Sequence, residues 1–84
     1  MRIIYSKKAQ DHIAYWQKNN PGILFKIQNL LKSICEDPYK GLGKPEPLKH
    51  ELKGLWSRRI SQEHRIVYKI VGNEIRVHSL RFHY

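Results

Sequence analysis

Glu46 stands between Pro45 and Pro47, Arg58, Arg59 and Arg65 crowd into one later stretch, and His83 with Tyr84 ends the sequence. A carboxylate, several guanidinium groups and an imidazole are the side chains that metal-free cleavage of a phosphodiester needs. The carboxylate takes the proton from a ribose 2′-hydroxyl, the guanidinium groups hold the crowded phosphorane, and the imidazole protonates the leaving oxygen. Each residue also has a plainer reading: Glu46 as a solubilising loop charge, Arg65 as half of a structural pair with Glu63 or Glu46, His83 as a frayed chain end. Residue types alone do not separate these readings. What matters is which groups the intervening chain brings together.

Two strands joined by a three-residue loop at residues 61–63 put Arg59 opposite Arg65, on the sheet face that also carries Val67 and Lys69. Opposed guanidinium groups repel, and an anion held between them relieves the repulsion, so the pair reads as a phosphate site. Alternation along the strand turns Arg58 to the other face. In the next hairpin, regular pairing about Gly72-Asn73 sets Leu80 opposite Arg65 and turns His83 away from it. A site containing both therefore predicts a bulge or a departure from the strand between Leu80 and His83.

The elements that must hold these residues are readable from pattern. Arg2 to Tyr5 is β-branched and aromatic, a strand, and Ser6 is a natural cap for a helix running to about Lys18, with Ala9, Ile13 and Trp16 on one face. Asn20 and Pro21 start a second helix, which Asp37-Pro38 ends. Its apolar residues Ile23, Leu24, Ile27, Leu30, Leu31 and Ile34 fall on one face, and Phe25 lies off that stripe as a candidate partner surface. Tyr39 to Gly54 reads as a long functional loop, followed by strands over Leu55–Ile60, His64–Val71 and Glu74 to about Phe82. The order β-α-α-β-β-β predicts an α+β fold, a mainly antiparallel sheet with a helix pair packed on one face. Trp16 and Trp56 are expected in the core.

Composition narrows the class. The chain has 84 residues, enough for one domain (1–84) with one modest core. Its net charge is +9, with an excess of +3 up to Asp37 and +6 beyond it, and four of the five histidines also lie in the second part. Such a field attracts nucleic acid, an anionic surface or an acidic protein. Cys35 is the lone cysteine, which excludes an internal disulfide and a cysteine-based zinc site. His50 and His64 lack metal-ligand spacing with it and read as RNA-contacting or structural. No metal and no cofactor are expected. No run approaches the roughly 18 apolar residues of a membrane span, so a cytoplasmic protein without a membrane partner is expected.

The stretch GKPEPLKHELKGLWSRRISQEHRIVYKI and the ending RFHY together resemble the YoeB branch of the RelE superfamily of bacterial toxins, over essentially the whole chain. The resemblance implies a RelE-like, microbial-ribonuclease-like fold and a ribosome-dependent messenger-RNA endonuclease acting in the decoding site. Its partners would be mRNA and ribosomal RNA, a YefM-like antitoxin whose tail folds over the toxin, operator DNA only through the antitoxin complex, and a possible second copy. Residue by residue, it implies Glu46 as general base, Arg65 as phosphate stabiliser, His83 as general acid and Tyr84 as a group that orients or stacks on RNA. Lys49, Arg59 and Glu63 match positions associated with the site, and His50 joins the RNA-contacting set. Arg58, on the opposite face, is read as a ribosome or antitoxin contact. The competing class is a basic RNA-binding or ribosome-docking module without chemistry; a DNA-binding regulator lacks any helix-turn-helix pattern.

Overall fold

The computed structural model describes residues 1–82. Strand β1 (Arg2–Tyr5) leads into helices α1 (Lys7–Asn19) and α2 (Pro21–Glu36); β2 (Glu46–Pro47), β3 (Trp56–Arg59), β4 (Arg65–Val71) and β5 (Glu74–Ser79) follow. The sheet order is β1-β5-β4-β3-β2, parallel between β1 and β5 and antiparallel elsewhere. This is the expected α+β arrangement with one strand more. Residues 39–54 form no uniform loop: Glu46 and Pro47 pair with Ser57 and Trp56, and His50–Leu52 make a short 3₁₀ turn. Proline lacks a donor, and it is tolerated here because β2 is the sheet edge.

Ser6 caps α1 as its type suggests, accepting from the Ala9 amide at 3.0 Å while its own hydroxyl donates to His78 O at 2.7 Å. Asn20 occupies the cap position of α2, but its side chain makes no capping bond; Pro21, with its preset φ, starts that helix instead. The two helices cover one face of the sheet. Ala9, Trp16, Ile27, Leu30, Leu31 and Ile34 meet Ile66, Tyr68, Ile75, Val77 and Leu80 in one buried cluster, with Trp56 packed at its margin. Phe25, off the stripe, is 69% exposed.

Register fixes which residues share the other face. Arg65, Val67 and Lys69 alternate with the core residues Ile66, Tyr68 and Ile70 along β4. Val67 pairs with Ser79 but Tyr68 pairs with Val77, so His78 is an extra residue in β5, a β-bulge. The expected irregularity therefore exists, displaced toward the N-terminus, and the strand ends at Ser79. The helix-free face is also not fully open: Leu48, Ser57 and Val67 are buried outside the main core, and Leu52 lines a cavity with Val67 and Ser79, so the connector before β3 crosses the middle of this face.

Arg58 corrects the sequence reading. It does turn away from Arg59, but onto the helix-covered face, where it is 0% exposed and unavailable to RNA, ribosome or antitoxin. Its guanidinium donates to Asp37 O (2.6 Å), Ser33 Oγ (2.7 Å), Tyr68 Oη (3.1 Å), Lys40 O (3.1 Å) and Leu42 O (3.2 Å). Tyr68 Oη in turn donates to Pro38 O at 2.6 Å, and burial raises the Tyr68 pKa. The connector thus wraps one cation with its carbonyls. Gly43 permits the close approach: its φ is +81°, and a Cβ there would lie 2.8 Å from Leu30 Cδ2.

Adjacent arginines are therefore predicted to behave oppositely. Arg58→Leu is expected to lower the unfolding free energy by about 3 kcal/mol, because it orphans several buried carbonyls and a hydroxyl, whereas Arg59→Leu changes it by less than about 0.5 kcal/mol. Arg58→Lys does not restore stability, since one ammonium cannot serve a forked set of acceptors. Urea denaturation measures all three, and equal losses at the two positions would contradict the buried network.

Candidate active site

The site grows from the pairing of β2, β3 and β4. Glu46 lies opposite Ser57, Ser57 opposite Val67, and Arg59 opposite Arg65. Cross-strand partners share a face, so Glu46 and both arginines lie on the helix-free face in adjacent rows. Glu46 and Arg59 are diagonal neighbours, a relationship that sets Cα atoms about 7–8 Å apart, within reach of long side chains. The Arg59 amide donates to Gly43 O at 2.6 Å and the Leu48 amide to Leu55 O at 2.9 Å, so the chain is tied on both sides of the Glu46 carboxylate. The opposed arginines expected from the 61–63 turn are present, with Arg59 exposed and Arg65 half-buried.

Lys49 and His50 are exposed beside Glu46 in a cavity of about 300 Å³ that the three residues share with Pro47 and Leu48. His50 has a φ of +58°, a left-handed conformation that a non-glycine residue adopts at some cost. Glu63 is exposed in the 61–63 turn, at the end of the sheet where Arg59 and Arg65 face each other. His83 and Tyr84 lie outside the described residues, so the expected general acid and stacking group rest on the sequence. Further along the helix-free face, Lys53, Lys69, Arg76 and His78 line a groove of about 490 Å³. Burial lowers the His78 pKa, with Lys8 and Lys69 adding to the effect. Among the described residues, no group of three or more His, Cys, Asp or Glu side chains is placed to hold a metal ion. No described helix is long and apolar enough to cross a membrane.

Sequence reasoning read His64 as RNA-contacting or structural and Trp16 as core, but it overlooked His12 and Arg81, which join them in fixing the segment leading to His83. After β5 the chain leaves the sheet, and side chains replace the lost ladder. His12 Nδ1 accepts from the Leu80 amide (3.0 Å), His64 Nδ1 from the Phe82 amide (2.8 Å), and Trp16 Nε1 donates to Leu80 O (2.9 Å). Arg81 Cζ lies 3.4 Å from the Tyr15 ring centroid and 4.2 Å from that of Phe82. A signal was available in α1: positions 9, 12, 13 and 16 share one helical face, so His12 stands within the apolar stripe.

Comparison with known proteins places this arrangement. The family model for the YoeB-like toxin of bacterial type II toxin-antitoxin systems matches residues 5–84. Toxin YoeB of Escherichia coli (strain K12) is 44% identical over 84 residues, covering 100% of both chains. Toxin YoeB of Streptomyces coelicolor is 39% identical, again covering 100% of both. Among solved structures, the YoeB/ParE toxin from Agrobacterium tumefaciens superposes with a TM-score of 0.96 at 40% identity, covering 100% of each chain. The YoeB-YefM complex from Staphylococcus aureus gives 0.92 at 44% identity, covering 100% of this chain and 98% of that one. YafQ from E. coli, with a TM-score of 0.78 at 20% identity over 98% of this chain and 93% of its own, shares the fold alone. The chain belongs to the YoeB-like toxins of bacterial type II toxin-antitoxin systems.

Proposed function

We propose that this toxin is a ribosome-dependent endoribonuclease that cuts mRNA in the decoding site by acid-base chemistry of its own side chains, without a metal or other cofactor, and so inhibits translation in the cytoplasm. The observation that carries the reading is the register that gathers Glu46, Arg59 and Arg65 on the helix-free face. A carboxylate in the row beside a pair of opposed cations suits a base and an anion site working on one phosphodiester. The basic groove along the same face supports an RNA ligand.

In the proposed reaction the Glu46 carboxylate takes the proton of a ribose 2′-hydroxyl, and the freed oxygen pair attacks the adjacent phosphorus. Arg65 and Arg59 hold the negative charge of the phosphorane. As the bond from phosphorus to the 5′ oxygen breaks, His83 donates a proton to that oxygen and Tyr84 orients or stacks on RNA. The products are a 2′,3′-cyclic phosphate and a 5′-hydroxyl, the former open to later hydrolysis. Lys49, His50 and Glu63 flank this centre as RNA-contacting residues. A YefM-like antitoxin is the proposed protein partner, supported by the toxin-antitoxin complexes of S. aureus; the YoeB dimer from that organism supports a homodimer as a second assembly.

Glu46→Gln and His83→Ala are each expected to lower the cleavage rate about 10²- to 10⁴-fold, and Arg65→Ala at least about 10²-fold, with ribosome binding retained. Primer extension on a translated transcript, paired with ribosome co-sedimentation, reads both. A chain that arrests translation equally well with either acid-base variant is a non-catalytic docking module. Toxin stripped with EDTA and desalted is also expected to cut at full rate on programmed ribosomes in a buffer whose only divalent ion is magnesium. A toxin inactivated by its own EDTA treatment and rescued by a divalent ion would refute the metal-free mechanism.

A further inference from the structure

The arm that leaves β5 is held by a device that the proposed mechanism does not use. Ladder pairing stops at Ser79, and the next backbone groups would be orphaned without the His12, Trp16 and His64 bonds already described. Two of the three side-chain partners are imidazole nitrogens acting as acceptors. A ring nitrogen accepts only while it carries no proton, so both rings must hold their proton on Nε2 or lose the arm. His64 is itself held in place, since its carbonyl accepts from Ile60 and Ser61, its ring meets Trp16 edge-on with centroids 4.8 Å apart, and β4, which carries Arg65, starts at the next residue.

We propose that His64, assisted by His12, is a positioning residue that works as a neutral acceptor: by clamping the Phe82 amide it fixes the residue to which His83 is bonded. The inference rests on the reading above that His83 supplies the proton. A fixed Phe82 limits the freedom of the residue bonded to it, and pre-organisation is what a general acid requires. Protonation turns the acceptor into a donor facing another donor, and the clamp opens.

The surroundings of His12 favour its neutral ring. Burial lowers the His12 pKa from its ordinary 6.5; Lys8 on α1 and Arg81 on the arm lower it further, Asp11 raises it, and His64 lowers it. A His whose folded pKa is depressed lends its stability above the ordinary value and loses it as pH falls through the lowered one. The arm is therefore expected to loosen on acidification and to stay closed as pH rises.

His64→Leu removes the acceptor, while His64→Asn keeps an oxygen near the Nδ1 position. Amide exchange at Phe82, corrected for intrinsic rate, is expected to speed up about tenfold in His64→Leu, the worth of one hydrogen bond, and to return toward the parent value in His64→Asn. Protection of the Leu80 amide is expected to fall on acidification in the parent and to lose that dependence in His12→Asn, a readout that survives if His64→Leu fails to fold. Cleavage per bound ribosome is expected to fall at least tenfold in His64→Leu, with ribosome affinity unchanged, and to recover in His64→Asn. Identical Phe82 exchange in the parent and His64→Leu overturns the clamp, and a Leu80 pH dependence that is the same in His12→Asn as in the parent overturns the part given to His12. Altered exchange with unchanged cleavage overturns its positioning role. A parent protein that shows the exchange pattern yet cuts no RNA sinks the nuclease reading and leaves the clamp standing.

Discussion

The Arg58 guanidinium is the buried charge on which the connector depends. It lies between α2 and the sheet, and its five acceptors are all uncharged. Placing an ion there is unfavourable unless its donors are all used, so the chain from Asp37 to Leu42 has to turn its carbonyls inward. That turn delivers Gly43 to the Arg59 amide and Glu46 to the edge of the sheet. One buried cation on the covered face thereby sets where the exposed carboxylate stands on the other. Arg58 and Arg59 are consecutive, and the pleat of β3 gives them separate roles, one organising the scaffold and the other facing solvent beside Arg65.

The same economy appears at the other end of the sheet. Ser6 caps α1 and also holds the carbonyl of His78, the bulged residue. The bulge advances β5 by one residue relative to β4, puts Ser79 opposite Val67 and sends Leu80 into the core. Helix capping, strand register and the exit of the chain from the sheet are coupled through one hydroxyl. Hydrophobic burial fixes the endpoints: Leu80, at 0% exposure, anchors the arm just beyond the bulge.

Much of this was legible in the sequence because periodicity reports faces. The stripes of Ala9, Ile13 and Trp16 and of Ile23 to Ile34 gave the two helices, β-branched residues gave the first strand, and the 61–63 turn and the Gly72-Asn73 hairpin gave three more and the Arg59 to Arg65 pairing. Periodicity does not report where a polar residue is buried, and that is where the reading failed. Arg58 looked like a surface cation since arginine seldom lies wholly inside a protein. Its burial depends on carbonyls contributed by a distant loop, which no local pattern encodes. Strand β2 was hidden by Pro47 and the preceding Pro45, which its place at the edge of the described sheet tolerates. The shift at His78 depends on packing Leu80, a tertiary demand that overrides the hairpin's local register.

The position of β5 in the sheet has a consequence for how the domain assembles. β5 lies between β1 and β4, and its parallel pairing joins Arg2 to Glu74, across nearly the whole length of the domain. Until β5 is in place, Arg2 to Tyr5 have no strand to join, and the helix pair has only part of the surface that it covers in the finished domain. The hairpins can zip locally, but the keystone of the sheet must be found by a long-range search, the slow kind of contact in folding.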